Sequence, residues 1–471
     1  MTKIEKIYSS KFLKLSFIIL VSLITIFHRL DESPLGFDDA HYAQRAKELL
    51  KNRDFFYINP TFGDEILLDN KPPVVYWFLA LSGWIFGFKN WSMRLSSGIF
   101  GFLSLIMMFF VVYYFTKNLE YSFWSTFILN FTQQFIYYSR SATPETIFNF
   151  FFWSSLFCFY TAIEKNKPLF IYLFGILLGL AIMTRQVFGL MILIIIPVYL
   201  MVIKRINYLL NINFICALVV SMIISIPWHS VMVVKYGNSF VNNYFGVIIN
   251  YSISREAHWY EYIKKIIESY WPWLPFLIFG FLNFKNINKE IKNFAILIFV
   301  SVFIYLFILH IPKFKAPQYL VVMYLPFSFI SCYGLIKLDR NFILRKIFII
   351  LGILLPALWL FFPIIPDTLD SNEYKKLSES FNEIKSIGKE IFTLLNQEYW
   401  HFKNGLLFYL DKNVVGLKEA DFIDSIVNTS SNFYILKWKD FKDLSEKYDF
   451  EKKIVIFSSQ TESVVFMSKS Y

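Results

Sequence analysis

The stretch Val74–Phe88, VVYWFLALSGWIFGF, decides how this chain is arranged. It is apolar from end to end, yet shorter than the roughly 18–20 residues that cross a bilayer as a helix. If it spans, every later loop changes side. If it lies at the membrane surface, the later loops keep theirs. The basic residues choose between the two. In the surface reading, Lys117, Lys165, Lys167, Lys204, Arg205, Lys285, Lys289, Lys292, Lys337, Arg340, Arg345 and Lys346 all fall in cytoplasmic loops. In the spanning reading they all fall outside, against the positive-inside rule. Val74–Phe88 is therefore expected to lie as a helix at the outer membrane surface.

Working outward, Lys3, Lys6, Lys11 and Lys14 precede a first apolar run, Leu15–Phe27, and place the N-terminus in the cytoplasm. No small-residue cleavage site follows Phe27-His28-Arg29, so the run reads as an anchor and not as a cleaved signal. Further apolar runs follow at 95–115, 122–138, 146–163, 168–184, 187–203, 211–229, 271–284, 293–310, 318–336 and 344–363. With the first, they make about eleven spans. The chain has 471 residues, is 56% hydrophobic and 21% aromatic, and carries only 17% charged residues. That composition belongs to an α-helical polytopic membrane protein. The net charge of +11 is what positive-inside loops produce, and its scatter over short loops excludes nucleic acid as a partner. Cys158, Cys216 and Cys332 are isolated within apolar runs, which speaks against a disulfide or a zinc site.

The expected organisation is a membrane domain over residues 1–366 and an outer α/β domain over 367–471. Residues 30–94 form a first outer loop with catalytic and juxtamembrane helices, and residues 230–270 a large outer loop. In the C-terminal domain, helices are expected over about 373–395 and 439–448, and strands over 406–410, 433–436 and 454–458.

Polar residues with chemical potential collect on the outer side. Asp38 and Asp39 open a helix-like segment running to about Leu50, with Tyr42, Ala46 and Leu49 at helical spacing. Acidic residues suit a helix N-terminus for electrostatic reasons alone, but a carboxylate there can also act as a general base. Lys71 precedes Pro72 and Pro73, which stiffen the backbone at that point. It either snorkels to headgroups or holds a phosphate. Glu145 starts a span after Pro144, and Arg140 and Arg185 sit at outer span ends. Arg255 and His258 lie in the large outer loop, Lys315 in the loop before the tenth span and Tyr319 at the start of that span. His258 has no neighbour at metal-ligand spacing.

These elements, in order, resemble a known family. Asp38-Asp39-Ala40-His41-Tyr42-Ala43 resembles the first-loop motif of the ArnT-like and protein O-mannosyltransferase-like glycosyltransferases of the GT-C superfamily. Lys71-Pro72-Pro73 with Trp77, Trp91-Ser92-Met93-Arg94, Tyr138-Ser139-Arg140 with Glu145, Thr184-Arg185, the Trp228 and Trp271-Pro272-Trp273 brackets, and Lys315-Ala316-Pro317-Gln318-Tyr319 follow in the family's order over residues 30–330. Asn70 departs from the pattern, standing where Glu or His often precedes the lysine.

The resemblance implies a GT-C fold in a bacterial inner membrane, with the active site and C-terminal domain extracytoplasmic. It implies a polyprenyl-phosphate-sugar donor and a lipid, glycan or protein acceptor. Asp38 would be the general base, with Asp39 its alternate. Lys71, with Arg255 and Arg185, would hold the donor phosphate. Glu145 would orient the acceptor or help bind a divalent cation, with Asp38 the second candidate ligand; no motif decides whether a metal takes part. Tyr42, Arg140, His258, Lys315 and Tyr319 complete the candidate set. Two rival readings stay open. A transporter or flippase of lipid-linked saccharides predicts broken helices and charges deep in the membrane. An assembly protein predicts that Asp38 and Lys71 are dispensable.

Overall fold

The computed structural model describes residues 11–56, 71–254, 258–312, 315–362, 391–395, 405, 407–409, 414–428, 432–449, 454–458 and 463–468. Among the described residues, seven helices, or helices joined to a short flanking turn, are long and apolar enough to cross a membrane: Asn90–Thr116, Glu145–Lys165, Pro168–Leu190, Ile212–Asn242, Lys289–His310, Pro317–Leu338 and Ile343–Phe361. The other four expected spans form shorter or broken helices. The first, α1 (Lys11–Ser22), unwinds into a π turn at Leu23–Phe27. The run at 122–138 divides into α5 (Leu119–Asn130) and α6 (Gln133–Ser139). The remaining two are α9 (Ile192–Val202) and α12 (Leu274–Leu282).

Between these lie α2 (Phe37–Asn52), α3 (Val74–Phe86), α4 (Asn90–Thr116), α7 (Glu145–Lys165), α8 (Pro168–Leu190), α10 (Ile212–Ser254) and α11 (Glu261–Ser269). Then come α13 (Lys292–His310), α14 (Val321–Leu338) and α15 (Ile343–Phe361). Val74–Phe86 is thus a helix of 13 residues. The region after residue 230, expected as a loop, is helical to Ser254 because α10 continues through it. Its break is absorbed at Gly237, whose φ of 54° suits a residue without Cβ.

Local chemistry sets the ends. Asn118 caps α5, its side chain accepting from the N–H groups of Glu120 (2.8 Å) and Tyr121 (3.3 Å). Asn166 ends α7 in the left-handed region, and Pro168 opens α8 in its first turn. Where α12 crosses α14, bare glycine lets the backbones touch. A Cβ on Gly334 would lie 2.0 Å from the carbonyl oxygen of Phe276. Small residues at such crossings are how helices associate where solvent gives no hydrophobic drive.

The chain divides into two compact units. The first takes Met1–Arg29, Leu68–Phe78 and Arg94–Ile365, and holds most of the apolar helices. The second takes Leu30–Leu67, Leu79–Met93 and Pro366–Tyr471. In the second, five strands form one sheet in the order β2-β1-β3-β5-β4: β1 (Ile391–Leu394), β2 (Val414–Leu417), β3 (Phe433–Lys437), β4 (Ile454–Ser458) and β5 (Ser463–Ser468). β1 pairs parallel with β2 and β3; β5 pairs antiparallel with β3 and β4. Helices α16 (Glu419–Asn428) and α17 (Trp438–Tyr448) bury Phe422, Ile426, Phe441 and Leu444 with Tyr434, Leu436 and Phe466 of the sheet.

Strands at 433–436 and 454–458 and the helix at 439–448 stand where the sequence places them. Two expectations need correction. Ile391–Leu394, expected as the end of a helix, is a central strand, its side chains alternating between full and partial burial; the rest of that expected helix, residues 373–390, lies outside the described residues. Residues 407–409, expected as strand, are helical. The carbonyl of Phe408 accepts from Lys47 of α2 (3.0 Å) instead of from a neighbouring strand, and the Tyr409 hydroxyl takes the Leu35 N–H and donates to Asn90, each at 2.7 Å.

Candidate active site

Ser97 of α4, with Thr143 and Thr146, clamps the start of α7 to α4. Ser97 donates to the carbonyl of Thr143 (2.9 Å), and Thr146 donates to the carbonyl of Ser97 (3.0 Å). Glu145 is 4% exposed and forms a salt bridge through Oε1 with the guanidinium of Arg185. Its other oxygen, Oε2, is buried with no hydrogen-bond partner among the described residues.

Arg185 reaches Glu145 because α8 breaks there. Arg185 has φ −147° and ψ 57°, and Gln186 has φ 40° and ψ −130°. A positive φ at a residue with a Cβ costs of order 1–3 kcal/mol and persists only where its surroundings impose it. The break turns the guanidinium out of the helical row and lays it against Tyr319, with Cζ 4.8 Å from the ring centroid. Phe188 backs the same tyrosine at 4.5 Å between centroids. Tyr305 of α13, buried to 1% exposure, lies within electrostatic reach of Glu145, Arg185, Tyr262 and Tyr319. Burial, together with neighbouring Tyr319, pushes the Tyr262 phenol well above its ordinary range, so it stays a proton donor at neutral pH.

Lys315 closes the carbonyl end of α13. Its ammonium donates to Leu309 (3.3 Å), His310 (2.9 Å) and Pro312, and lies 5.6 Å from the Tyr262 ring centroid. Burial lowers its pKa. A cation suits the negative end of a helix dipole, and this one fixes the loop that carries Tyr319. Arg140 does the same for α1. Its guanidinium donates to the carbonyls of Thr25, Ile26, His28 and Arg29 at 2.7–3.4 Å and stacks over Trp359 at 5.1 Å.

Of the residues singled out from sequence, the structure thus brings together Glu145, Arg185, Tyr319 and Lys315. Lys71 is half-buried just before α3, ahead of buried Pro72 and Pro73. Asp38, Asp39 and Tyr42 belong to the second unit, on α2. Asp38 is exposed, whereas Asp39 and Tyr42 are buried. His258 is exposed and stacks on Tyr260, rings 5.0 Å apart. Arg255 lies outside the described residues. Tyr262, Tyr305 and Gln186 join the cluster without a sequence motif to announce them. Among the described residues, no three His, Cys, Asp or Glu side chains are grouped to hold a metal ion. One oxygen of Glu145 is already committed to Arg185.

Comparison with known proteins adds to this geometry. Residues 70–230 match the dolichyl-phosphate-mannose-protein mannosyltransferase family. An uncharacterized protein of Aquifex aeolicus is 24% identical over 85% of this chain and 88% of its own length. The undecaprenyl phosphate-alpha-4-amino-4-deoxy-L-arabinose arabinosyl transferase of Yersinia pestis is 26% identical over 56% of this chain, a match that takes in 46% of its own length. In structure, ArnT from Cupriavidus metallidurans superposes with a TM-score of 0.77 at 12% identity, covering 96% of this chain and 97% of that one. ArnT bound to undecaprenyl phosphate superposes with 0.76, and an Archaeoglobus fulgidus oligosaccharyltransferase with 0.56. The fold is therefore that of ArnT.

Proposed function

We propose that the chain is a membrane glycosyltransferase that moves a sugar from a polyprenyl-phosphate donor to an acceptor outside the cytoplasm, in a bacterial inner membrane. The observation that supports this most is the Glu145–Arg185 pair, seated at a break in α8 beside Tyr319, within a fold shared with ArnT along nearly its whole length. Buried charges of this kind inside a membrane bundle serve substrates more often than stability. The ArnT structure with undecaprenyl phosphate and the arabinosyl transferases point to the same donor class.

In this reading Asp38 takes the proton from the acceptor's attacking group as that group bonds to the sugar's anomeric carbon. The polyprenyl phosphate departs as the anion, and the sugar's configuration inverts. Lys71 and Arg255 hold that phosphate, with Arg185 near it. Glu145, held by Arg185, offers its second oxygen to a substrate hydroxyl or amine. Asp38 is preferred to Asp39 because it is exposed and Asp39 is buried. The acceptor class, a lipid, glycan or protein, stays open in this reading.

The deciding experiment is transfer of labelled sugar from polyprenyl-phosphate donors by purified protein. Wild type should consume donor, and Asp38→Asn should lose turnover by 100-fold or more, on the order of what a general base contributes, while still binding donor. Equal turnover by both would remove Asp38 from the chemistry. Loss in Asp39→Asn alone would move the base by one residue.

The breaks in α8 and α10 also fit a transporter of lipid-linked saccharides. That reading expects the labelled lipid to change leaflets in proteoliposomes with no sugar released from it.

A further inference from the structure

Asn149 stands one turn beyond Glu145 on α7 and is fully buried, with 0% exposure. The direction of its amide follows from its neighbours' protons. Ser104 donates its single hydroxyl proton to the carbonyl of Phe100 at 2.8 Å. It can therefore only accept from Asn149, which it does from Nδ2 at 3.2 Å. The NH2 side thus faces Ser104, and Oδ1 is left on the other side. Asn149 Oδ1 has no hydrogen-bond partner among the described residues, and neither has Glu145 Oε2. Residues four apart lie on one face of a helix, about 5–6 Å between Cβ atoms. Two buried acceptors on one face, without donors, are costly until something donates to them.

We propose that Asn149 Oδ1, with Glu145 Oε2, receives a hydroxyl or ammonium of the sugar on the lipid-linked donor, and that Asn149 is a specificity-determining residue for that sugar. The inference rests on the glycosyltransferase reading above. The two unpartnered oxygens lie on a buried helix of the apolar bundle. As acceptors they select a group rich in donors, a polyol or amino sugar, and give nothing to a bare phosphate. Sites built to hydrogen-bond a substrate's OH or NH discriminate strongly against ligands that lack it.

The test compares binding of undecaprenyl phosphate with binding of undecaprenyl-phosphate aminoarabinose and of polyprenyl-phosphate mannose, in wild type and Asn149→Leu. The expected result is that wild type prefers one sugar-bearing lipid over the bare lipid phosphate. Asn149→Leu should then lose about tenfold or more of that preference and bind the bare lipid as before. Asn149→Asp keeps an acceptor oxygen and should keep the preference. A preference unchanged in Asn149→Leu would mean that a buried water satisfies Oδ1, and would overturn the inference alone. Equal weakening of bare and sugar-bearing lipids would overturn it as well. Failure of wild type to bind any lipid phosphate would overturn the glycosyltransferase reading and this inference with it. If Asn149→Leu does not fold, Ser104→Ala decides: releasing the amide should reduce the sugar preference, and an unchanged preference overturns the proposal.

Discussion

Arg185 carries more of the site than any other side chain, since it faces Glu145 on one side and Tyr319 on the other. Removing it strands a buried carboxylate, and breaking one half of a buried pair costs about 3–5 kcal/mol. Arg185→Met should therefore lower the melting temperature of the detergent-purified protein markedly. Arg185→Lys should restore most of that stability but little activity, because an ammonium cannot stack flat on Tyr319. An Arg185→Met protein as stable as wild type would mean that the pair is not the anchor of α8. Glu145 and Arg185 were legible in the sequence as charges at the ends of apolar runs, and Tyr319 through the resemblance carried by Lys315-Ala316-Pro317-Gln318-Tyr319. Asn149 was not: among Phe148, Phe150, Phe151 and Phe152 it reads as one polar residue in a span. Its meaning comes from the direction of a serine proton, which no spacing rule encodes. Tyr262 and Tyr305 were missed for a similar reason, since tyrosine is common in a chain this aromatic.

Among elements, the turn between α14 and α15 is the clearest example of sequence chemistry fixing geometry. Asp339 accepts from the N–H groups of Leu344 (3.1 Å) and Arg345 (2.9 Å) and from the Arg345 side chain (3.1 Å). Burial works to raise its pKa, but these bonds outweigh burial and hold it below the ordinary carboxylate value of 3.8. A carboxylate with a lowered folded-state pKa contributes stability above its unfolded pKa and loses it as pH falls through the folded value. Asp339→Asn should accordingly be less stable than wild type at pH 7, by up to about 1.5–3 kcal/mol for hydrogen bonds to a charged group. The gap should narrow below about pH 4. A gap that stays constant down to pH 3 would show that charge is not what the turn uses. The long helices were readable from apolar length alone. The breaks were readable in part: Arg185–Gln186 falls between the runs at 168–184 and 187–203, and Gly237 lies beyond the run at 211–229, whereas Phe131 interrupts the single run expected at 122–138. In α8 the break accompanies the Arg185–Glu145 ion pair, and in α5–α6 a turn at Phe131–Thr132 precedes Gln134, which accepts from Tyr324 of α14 at 2.7 Å. The strand at Ile391–Leu394 was missed because helix and strand patterns are alike over so short a run.

For the whole molecule, the sidedness of the loops decides whether the proposed chemistry is extracytoplasmic. After replacement of Cys158, Cys216 and Cys332, a cysteine at Lys117 should resist a membrane-impermeant reagent applied to intact cells, and one at His258 should react. The reverse pattern would put Val74–Phe86 across the membrane and the proposed site on the cytoplasmic side. His258 is suited to this because it is exposed.

The short helices carry a consequence for the membrane itself. At 1.5 Å per residue, α9 extends about 16 Å and α12 about 14 Å, against a hydrocarbon core of about 30 Å. Both expose apolar side chains: Ile194 and Met201 on α9, Ile278 and Leu282 on α12. A bilayer that must cover them thins locally, at a modest elastic cost for each ångström of mismatch. A dimple of this kind lets lipid headgroups sink toward the protein's interior. The protein then behaves as a gauge of bilayer thickness: in vesicles of graded acyl-chain length, turnover should peak in thinner bilayers, and a rate indifferent to chain length would mean that the lipid does not yield there.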